Sequence, residues 1–424
     1  MAVAGDAVTR LENGLTVATA EMPHMSSISV GLWVGIGARY EPPDLNGVCH
    51  FIEHLLFKGT KKRSPGEISQ AIEGIGGYLN AFTSEEATCF HSRACHDRFG
   101  TLIEVLMDMF LGSKFAREDI DKERDVIKEE IAMYLDQPHH HVQELLNRTL
   151  WPDQPLGRPI TGTPRTLDGM TRDDLVAYLR RNYLASNSLI VAAGRLNHAQ
   201  IVREVRHYSA KFIHAAKPVF SPIRDVQTKP MISLFTSKTE QTQIALGIRT
   251  CSRHDPRRYA LRLLNTILGE NMSSRLFQVI REDLGLAYSI YSNPSFFEDT
   301  GDLVISAGLD TNNLEKVLKL ILVELRRMSQ KLPSVGEVRR ARDYVIGQMQ
   351  LSLESTDNRM NWIGEQLLSY GLVMSPDEIK RRLSAVTASR IRDVARDFFR
   401  QERLNLALVS PLKSDRRLSG LLRV

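Results

Sequence analysis

The sequence predicts an α+β protein of two related lobes, each a mostly antiparallel sheet packed with helices, that face each other like a clamshell. Three observations support this prediction. At 424 residues the chain exceeds the length at which one hydrophobic core keeps growing, so two or more domains are expected. Strand-like alternation is interleaved with longer segments of 3.6-residue apolar period, such as NNLEKVLKLILVELRRM, without strict strand–helix alternation. The third observation is an internal repeat.

The repeat has a period of about half the chain, and three pairs of segments occur in the same order in both halves. The pairs are ISVGLWVGIGARYEPP (28–43) with TQIALGIRTCSRHDPR (242–257), DIDKERDVIKEEI (119–131) with EVRRARDYVIGQM (337–349), and LDGMTRDDLVAYLRRNY (167–183) with LSAVTASRIRDVARDFF (383–399). One such match could arise by chance. Three collinear matches indicate duplication, and therefore two lobes of similar fold.

A proline-containing segment separates the two halves. Pro218, Pro222 and Pro230 interrupt AAKPVFSPIRDVQTKP (215–230), which predicts a linker rather than a regular element. The predicted division is therefore a first lobe over residues 1–215, a linker over 216–230 and a second lobe over 231–424.

The bulk composition is that of an ordinary soluble globular protein, with 42% hydrophobic and 25% charged residues. The net charge of +5 is weak, and no lysine-rich or arginine-rich block indicates a nucleic-acid partner. We find no secretory signal pattern at the N-terminus and no apolar run of the roughly 18 residues that a spanning helix needs, so no membrane insertion is expected. The four cysteines lack CxxC spacing, which favours a reduced, cytoplasmic location.

Two histidines and a glutamate interrupt the apolar segment GVCHFIEHLLFKGT (47–60). His50, Glu53 and His54 form an HxxEH motif, and on a helix positions i and i+4 lie on one face, with i+3 beside them. A core helix with two satisfied histidines and an exposed glutamate is the alternative. The triple at this spacing is the inverted counterpart of the HExxH zinc helix, so we interpret it as part of a metal site.

A catalytic zinc ion takes three protein ligands and leaves one position open, so a third ligand must come from elsewhere. The segment ERDVIKEEIAMYL offers Glu123, Glu129 and Glu130. Glu123 and Glu130 are two helical turns apart on one face, whereas Glu129 points elsewhere. Without the HxxEH motif, this segment would be interpreted as a solvated charged helix.

The second half lacks all of these groups. Ala341 stands where the first half has Glu123, and Gln348 where it has Glu130. The segment that matches the HxxEH helix, YALRLLNTILG, contains no histidine. One lobe with a metal site and one lobe without it would produce this pattern.

The motifs resemble the pitrilysin/insulinase family of inverted zinc metallopeptidases, most closely its short, bacterial-type branch similar to the mitochondrial processing peptidase. The resemblance covers nearly the whole chain. It rests on the HxxEH motif, the ERDVIKEE helix about 70 residues on, GGYLNAFTSEEAT (76–88) and GENMSSRLFQVIREDLGLAYSIYS (269–292).

This resemblance implies one Zn²⁺ per chain, bound by His50, His54 and Glu130. It implies that Glu53 is the general base and that Glu123 supports the site. The fold then encloses an active site for an extended peptide substrate.

The same resemblance implies substrate contacts outside the zinc ligands. GGYLNAFT would be an edge strand beside the zinc, where Asn80, Ala81 and Phe82 bind substrate by strand addition. Arg281 and Tyr288 would reach the substrate from the second lobe, where donors aimed at a developing oxyanion contribute strongly to catalysis. From the residues alone, the edge strand would be an ordinary strand, Arg281 a surface arginine and Tyr288 a core tyrosine.

The run PHHHVQELL (138–146) is a second candidate metal site. Because consecutive helical positions point in different directions, His139, His140 and His141 cannot all face one ion, and we interpret them as surface or interface residues.

Three functional hypotheses remain open on sequence alone. The first is a zinc endopeptidase acting on peptides or unfolded segments. The second is a non-catalytic structural subunit, like family members built into respiratory complexes, which lose parts of the metal motif. The third is the active half of a heterodimeric processing peptidase. Since the zinc motif and the pair Arg281 and Tyr288 share one chain, we expect a self-sufficient enzyme and a homodimer.

Overall fold

The structure is a computed structural model that describes residues 6–423, and it confirms the α+β prediction of two sheets packed with helices. The strands are β1 (Asp6–Arg10), β2 (Thr16–Glu21), β3 (Ser27–Val34), β4 (Tyr78–Thr83), β5 (Thr88–Cys95), β6 (Ser188–Gly194), β7 (Met231–Thr236), β8 (Thr242–Thr250), β9 (Ala287–Phe296), β10 (Gly301–Leu309) and β11 (Leu404–Ser410).

The α-helices are α1 (Val48–Leu56), α2 (Pro65–Glu73), α3 (Phe99–Gly112), α4 (Arg117–Asp136), α5 (Pro138–Leu150), α6 (Pro164–Gly169), α7 (Arg172–Asn182), α8 (His198–Ser209), α9 (Arg258–Asn265), α10 (Leu314–Gln330), α11 (Val335–Ser352), α12 (Thr356–Tyr370), α13 (Pro376–Ser384), α14 (Ala388–Phe398) and α15 (Arg416–Ser419).

The two sheets share one topology. The first has the order β1-β2-β6-β3-β5-β4 and the second the order β7-β11-β8-β10-β9. Each contains one parallel pair, β2 with β6 and β7 with β11, and the other pairs are antiparallel. Apart from the additional strand β1, the second sheet therefore repeats the first, as the internal repeat predicts.

The repeat extends to helix capping. Helices α7 and α14 follow matching threonines, Thr171 and Thr387, and each hydroxyl accepts a hydrogen bond from a main-chain N–H of the first turn. A hydroxyl at this position satisfies an amide that has no partner within the helix. The two halves therefore use the same chemistry to begin equivalent helices.

The chain folds into two compact units that exchange one segment each. The first unit comprises residues up to Ile131 together with Arg158–Ser221 and Gln350–Ser375, and the second comprises the remainder. Helix α12 thus packs on the first sheet, and its counterpart α5 packs on the second. Amphipathic patterning identifies the buried face of such a helix but not the sheet that covers it. The boundaries expected at residues 215 and 231 stay a prediction.

Strand β3 shows how both faces of the first sheet are covered. Ile28, Val30 and Leu32 pack among the helices of one face, which include α1, α3 and α7. The alternate residues face α12, where Trp33 Nε1 lies 3.3 Å from Met360 Sδ. At Gly31 a Cβ atom would lie 2.5 Å from the same sulfur, so a larger residue there would require the Met360 side chain to move.

Candidate metal centre

Helix α1 carries the HxxEH motif on the side that the core does not cover. Its buried residues are Val48, Cys49, Phe51, Ile52, Leu55 and Leu56, which pack in the core of the first unit. His50, Glu53 and His54 occupy the remaining face, and the two imidazole rings lie 4.6 Å apart between centroids. The apolar period of this nine-residue helix thus presents all three titratable groups on one side.

Helix α4 brings the predicted carboxylates to the same place. Glu130 Oε2 lies 3.8 Å from His50 Nε2 and 3.6 Å from His54 Nε2. Ligand atoms of these three residues all lie within 4.8 Å of one another, and they form the one such His/Cys/Asp/Glu group within residues 6–423.

These distances fit a bound zinc ion. Separations of 3.6 and 3.8 Å are too long for hydrogen bonds between the groups. Two ligands that each lie about 2.1 Å from a tetrahedral ion are about 3.4 Å apart. The three donors are therefore arranged around a space of the size that zinc needs, and two imidazoles with one carboxylate form a common catalytic zinc set.

Glu123 is hydrogen-bonded to one of the histidines. Its Oε2 lies 3.1 Å from His54 Nδ1, and its Oε1 lies 2.8 Å from Lys58 Nζ. When Nδ1–H of His54 donates to this carboxylate, Nε2 keeps a free lone pair toward Glu130. The sequence reasoning missed Lys58, although its position one turn after His54 on the same face was a usable signal.

His50 lies in surroundings that favour its neutral form. Burial, together with the nearby His54, lowers the pKa of His50 to about 3. Within the described chain its buried Nδ1 has no hydrogen-bond partner. A neutral imidazole is the form that binds a metal ion.

Glu53 does not join the donor group but contacts the neighbouring strand. Thr83 Oγ1 donates a 2.5 Å hydrogen bond to Glu53 Oε2. Burial raises the pKa of Glu53, and the hydrogen bond from Thr83 opposes that shift. Thr83 was not among the predicted site residues, because nothing in the spacing of the sequence places β4 beside α1.

Strand β4 is at the edge of the first sheet, and among the described strands it pairs with β5 alone. The Asn80 side chain accepts a 2.8 Å hydrogen bond from the main-chain N–H of Ala81. The Phe82 ring packs edge-on against Trp33, with 5.4 Å between centroids. Asn80 is exposed and the Phe82 side chain is used in packing, while strand addition at Asn80, Ala81 and Phe82 stays a prediction.

Arg281 and Tyr288 lie together in the second unit. Arg281 belongs to a π-helical segment, Phe277–Asp283, and Gly285 turns the chain with a φ of +58° before β9 begins. The guanidinium carbon lies 5.9 Å from the centre of the Tyr288 ring, which is 77% exposed. Both residues line a cavity of about 340 Å³. The exposure of Tyr288 contradicts the alternative of a core tyrosine.

The histidine run lies at the start of α5 and forms no metal cluster within the described chain. His139 and His140 are exposed and their rings lie 4.2 Å apart, while the ring of His141 lies 4.2 Å from that of Phe235. His141 therefore points away from the adjacent rings of His139 and His140, and the three side chains do not face one point.

Most of the chain is similar to known protein families and to named relatives. Residues 16–164 match the insulinase family (peptidase family M16), and residues 169–345 match the peptidase M16 inactive domain. An uncharacterized zinc protease of Streptomyces coelicolor is 40% identical over 96% of this chain and 89% of its own length. The uncharacterized zinc protease YmxG of Bacillus subtilis is 35% identical over 94% of this chain and 97% of its own length.

Solved structures show the same fold. A protease from Helicobacter pylori superimposes with a TM-score of 0.90 at 19% identity, over 96% of this chain and 99% of that one. A chain of complex III2 from Candida albicans superimposes with a TM-score of 0.83 at 18% identity, over 99% of this chain and 100% of that one. Within residues 6–423, no helix combines the length and apolar character that crossing a membrane requires.

Proposed function

Because the chain belongs to the insulinase family of zinc peptidases (peptidase family M16), we propose that it is a zinc-dependent endopeptidase that hydrolyses peptides or extended segments of unfolded polypeptides. One observation carries this proposal. His50, His54 and Glu130 converge without bonding to one another, and Glu123 orients His54 from behind. A site with three ligands and an open position is typical of catalytic rather than structural zinc.

In this proposal each residue has a separate role. Zinc held by His50, His54 and Glu130 would polarise the scissile carbonyl and lower the pKa of a water molecule. Glu53 takes the proton from that water and passes it to the leaving amine. Glu123 keeps His54 in the tautomer whose Nε2 can bind metal. Strand β4 binds the substrate backbone as an added strand, with specificity left to side-chain pockets.

The competing proposal is a non-catalytic structural subunit. The similarity to a complex III2 chain concerns the fold alone at 18% identity. A chain used only as a scaffold has no need of three converging metal ligands with a second carboxylate behind one of them. The catalytic proposal is therefore the better supported of the two, and the homodimer and the cytoplasmic location stay predictions.

The proposal is tested by metal analysis combined with cleavage of a quenched peptide library. We expect about one zinc per chain and cleavage of unstructured peptides. A protein that holds zinc but cleaves no member of the library would favour the structural role.

The hydrogen bond from Thr83 should be visible in the pH dependence of cleavage. Glu53 must be ionised to accept a proton, so activity falls as the pH drops through the pKa of this carboxyl. Thr83 stabilises the ionised form, and Thr83→Val removes that contact while keeping the shape. We expect the acid limb of kcat/KM to move to higher pH in Thr83→Val.

Ser84→Ala is the matched control for this measurement, because the hydroxyl of Ser84 bonds to the main chain of Ala87 rather than to Glu53. Its acid limb should coincide with that of the wild type. An unchanged acid limb in Thr83→Val, or an equal shift in both variants, would show that the hydrogen bond from Thr83 does not set the pH dependence of cleavage.

Arg281 and Tyr288 enter the proposal through the family resemblance, as donors that stabilise the oxyanion or hold the substrate carbonyl. Arg281→Ala and Tyr288→Phe should each lower kcat by roughly 10²–10³ at unchanged zinc content, the usual scale for losing one such donor. Tyr291→Phe, on the same strand and also exposed, is the control and should leave kcat unchanged. Full activity in both test variants would show that Arg281 and Tyr288 take no part in the reaction.

A further inference from the structure

A buried carboxylate holds the first turn of the metal-binding helix. Glu41 is 3% exposed and precedes α1 by a short segment. Its Oε2 accepts hydrogen bonds from the main-chain N–H of Gly47 at 2.7 Å and from Asn46 Nδ2 at 2.9 Å. Its Oε1 accepts a 2.9 Å hydrogen bond from the main-chain N–H of Cys49. One side chain thus binds two of the amides that have no acceptor within the helix.

Among residues 6–423, no other side chain caps helix α1. Its N-cap residue, Gly47, has a φ of +96° and no side chain to offer. A carboxylate is a favourable acceptor at this end of a helix, because the N-terminal amides carry partial positive charge; they oppose the effect of burial, which raises the pKa of Glu41 to about 7. His50 directly follows Cys49, so the amide that Glu41 binds lies one residue before a metal ligand.

The chain behind Glu41 fixes its position. Arg158 donates a 2.8 Å hydrogen bond to the main-chain carbonyl of Glu41, and Asn46 donates a second one, at 2.9 Å, to the carbonyl of Pro159. At Gly47 a Cβ atom would lie 2.7 Å from the Cα of Gly162, so the two segments are in close contact. The loop over residues 158–162 therefore contacts both the main chain of Glu41 and the N-cap of α1.

We propose that Glu41 is a positioning residue of the metal centre, which fixes the first turn of α1 and thereby directs His50 and His54 toward Glu130. In a helix of only nine residues, a change in the first turn moves the side chain of His50 directly. A residue that merely capped the helix would stabilise the fold but leave the zinc affinity of the folded protein unchanged. This inference rests on the proposed zinc site but not on the proposed peptidase reaction.

The test is the zinc affinity of Glu41→Gln. An amide group has one oxygen, so the variant keeps the shape of Glu41 but loses one of its two contacts with the main chain of α1. Zinc dissociation constants are measured on the folded apo-protein by competition with a chelator. Groups that orient metal ligands typically contribute 10–100-fold to metal affinity, and we expect a weakening of about that size. The absorption spectrum of the cobalt(II)-substituted protein, which reports ligand geometry, should also change.

Ser64→Ala is the matched control. Ser64 caps α2. Helix α2 has nine residues, as α1 does, and belongs to the same unit, but it carries none of the proposed metal ligands. This variant should have a lower melting temperature but the zinc affinity and cobalt spectrum of the wild type. The comparison separates the effect of losing a helix cap from the effect of displacing the proposed metal ligands.

Each outcome decides between the two roles. Wild-type zinc affinity in Glu41→Gln, with only a lower melting temperature, would overturn the proposal. If Glu41→Gln does not fold, Glu41→Asp keeps the charge but is too short to reach both amides, and it should show the weakened affinity. Failure of both variants to fold in excess zinc would make Glu41 a determinant of the fold and also overturn the proposal. A wild-type protein without zinc affinity would instead contradict the proposed function itself.

Discussion

Glu53→Gln is expected to lower kcat by about 10²–10⁴, the range that general acid–base groups contribute, while zinc content and substrate affinity remain unchanged. Glutamine retains the size of the side chain and an oxygen that can accept the hydrogen bond from Thr83. It cannot take a proton from water at neutral pH. The loss should therefore appear in kcat and not in KM.

Steady-state kinetics with a quenched peptide, together with metal analysis of the same samples, measures this effect. Glu129→Gln is the control, because Glu129 is an exposed residue of α4 beside the proposed ligand Glu130. It should behave as the wild type in both measurements. Near-normal turnover by Glu53→Gln would show that another group is the base.

His50→Ala, His54→Ala and Glu130→Gln are each expected to reduce the zinc content from about one ion per chain to nearly none, with loss of activity. Each change removes one of three proposed ligands, and two protein ligands bind zinc much more weakly than three. The effect of Glu130→Gln should be the clearest, because the side chain keeps its size and loses only its charge.

Metal analysis after dialysis against a weak chelator checks this expectation, again with Glu129→Gln as the control that retains zinc. Circular dichroism of each variant shows whether the fold persists without the ion. Stoichiometric zinc in all three variants would exclude this ligand set.

The spacing of the motif residues predicted which of them share a helix face. His50 and His54, at positions i and i+4, share one face of α1, and Glu123 and Glu130, two turns apart, share one face of α4. These relations are local to one helix each. In the structure His50, His54 and Glu130 come within 4.8 Å of one another. The resemblance supplied the pairing of the two helices, and the structure brings them together as expected.

Contacts that depend on tertiary packing were not predictable in this way. Thr83 reaches Glu53 only because β4 passes beside α1, and Glu41 lies in a segment whose burial no periodic pattern reveals. The exchange of α5 and α12 was missed for a related reason. An amphipathic helix buries its apolar face equally well on either of two similar sheets, so its sequence does not specify which one it covers.

Phe82 stays a prediction as a substrate-binding residue, and the structure shows where its side chain packs. An alternating strand assigns its residues to two faces but does not say which face meets another element. The ring of Phe82 packs on Trp33, beneath α12.

Titration of the apo-protein with zinc, followed by peptide cleavage at each addition, tests the central claim most directly. Our account predicts no cleavage without metal, a linear rise and a plateau at about one equivalent of zinc per chain. Glu53→Gln should bind the same equivalent without gaining activity. Cleavage by the metal-free protein, or a saturated zinc site with no cleavage of any unstructured peptide, would contradict the account.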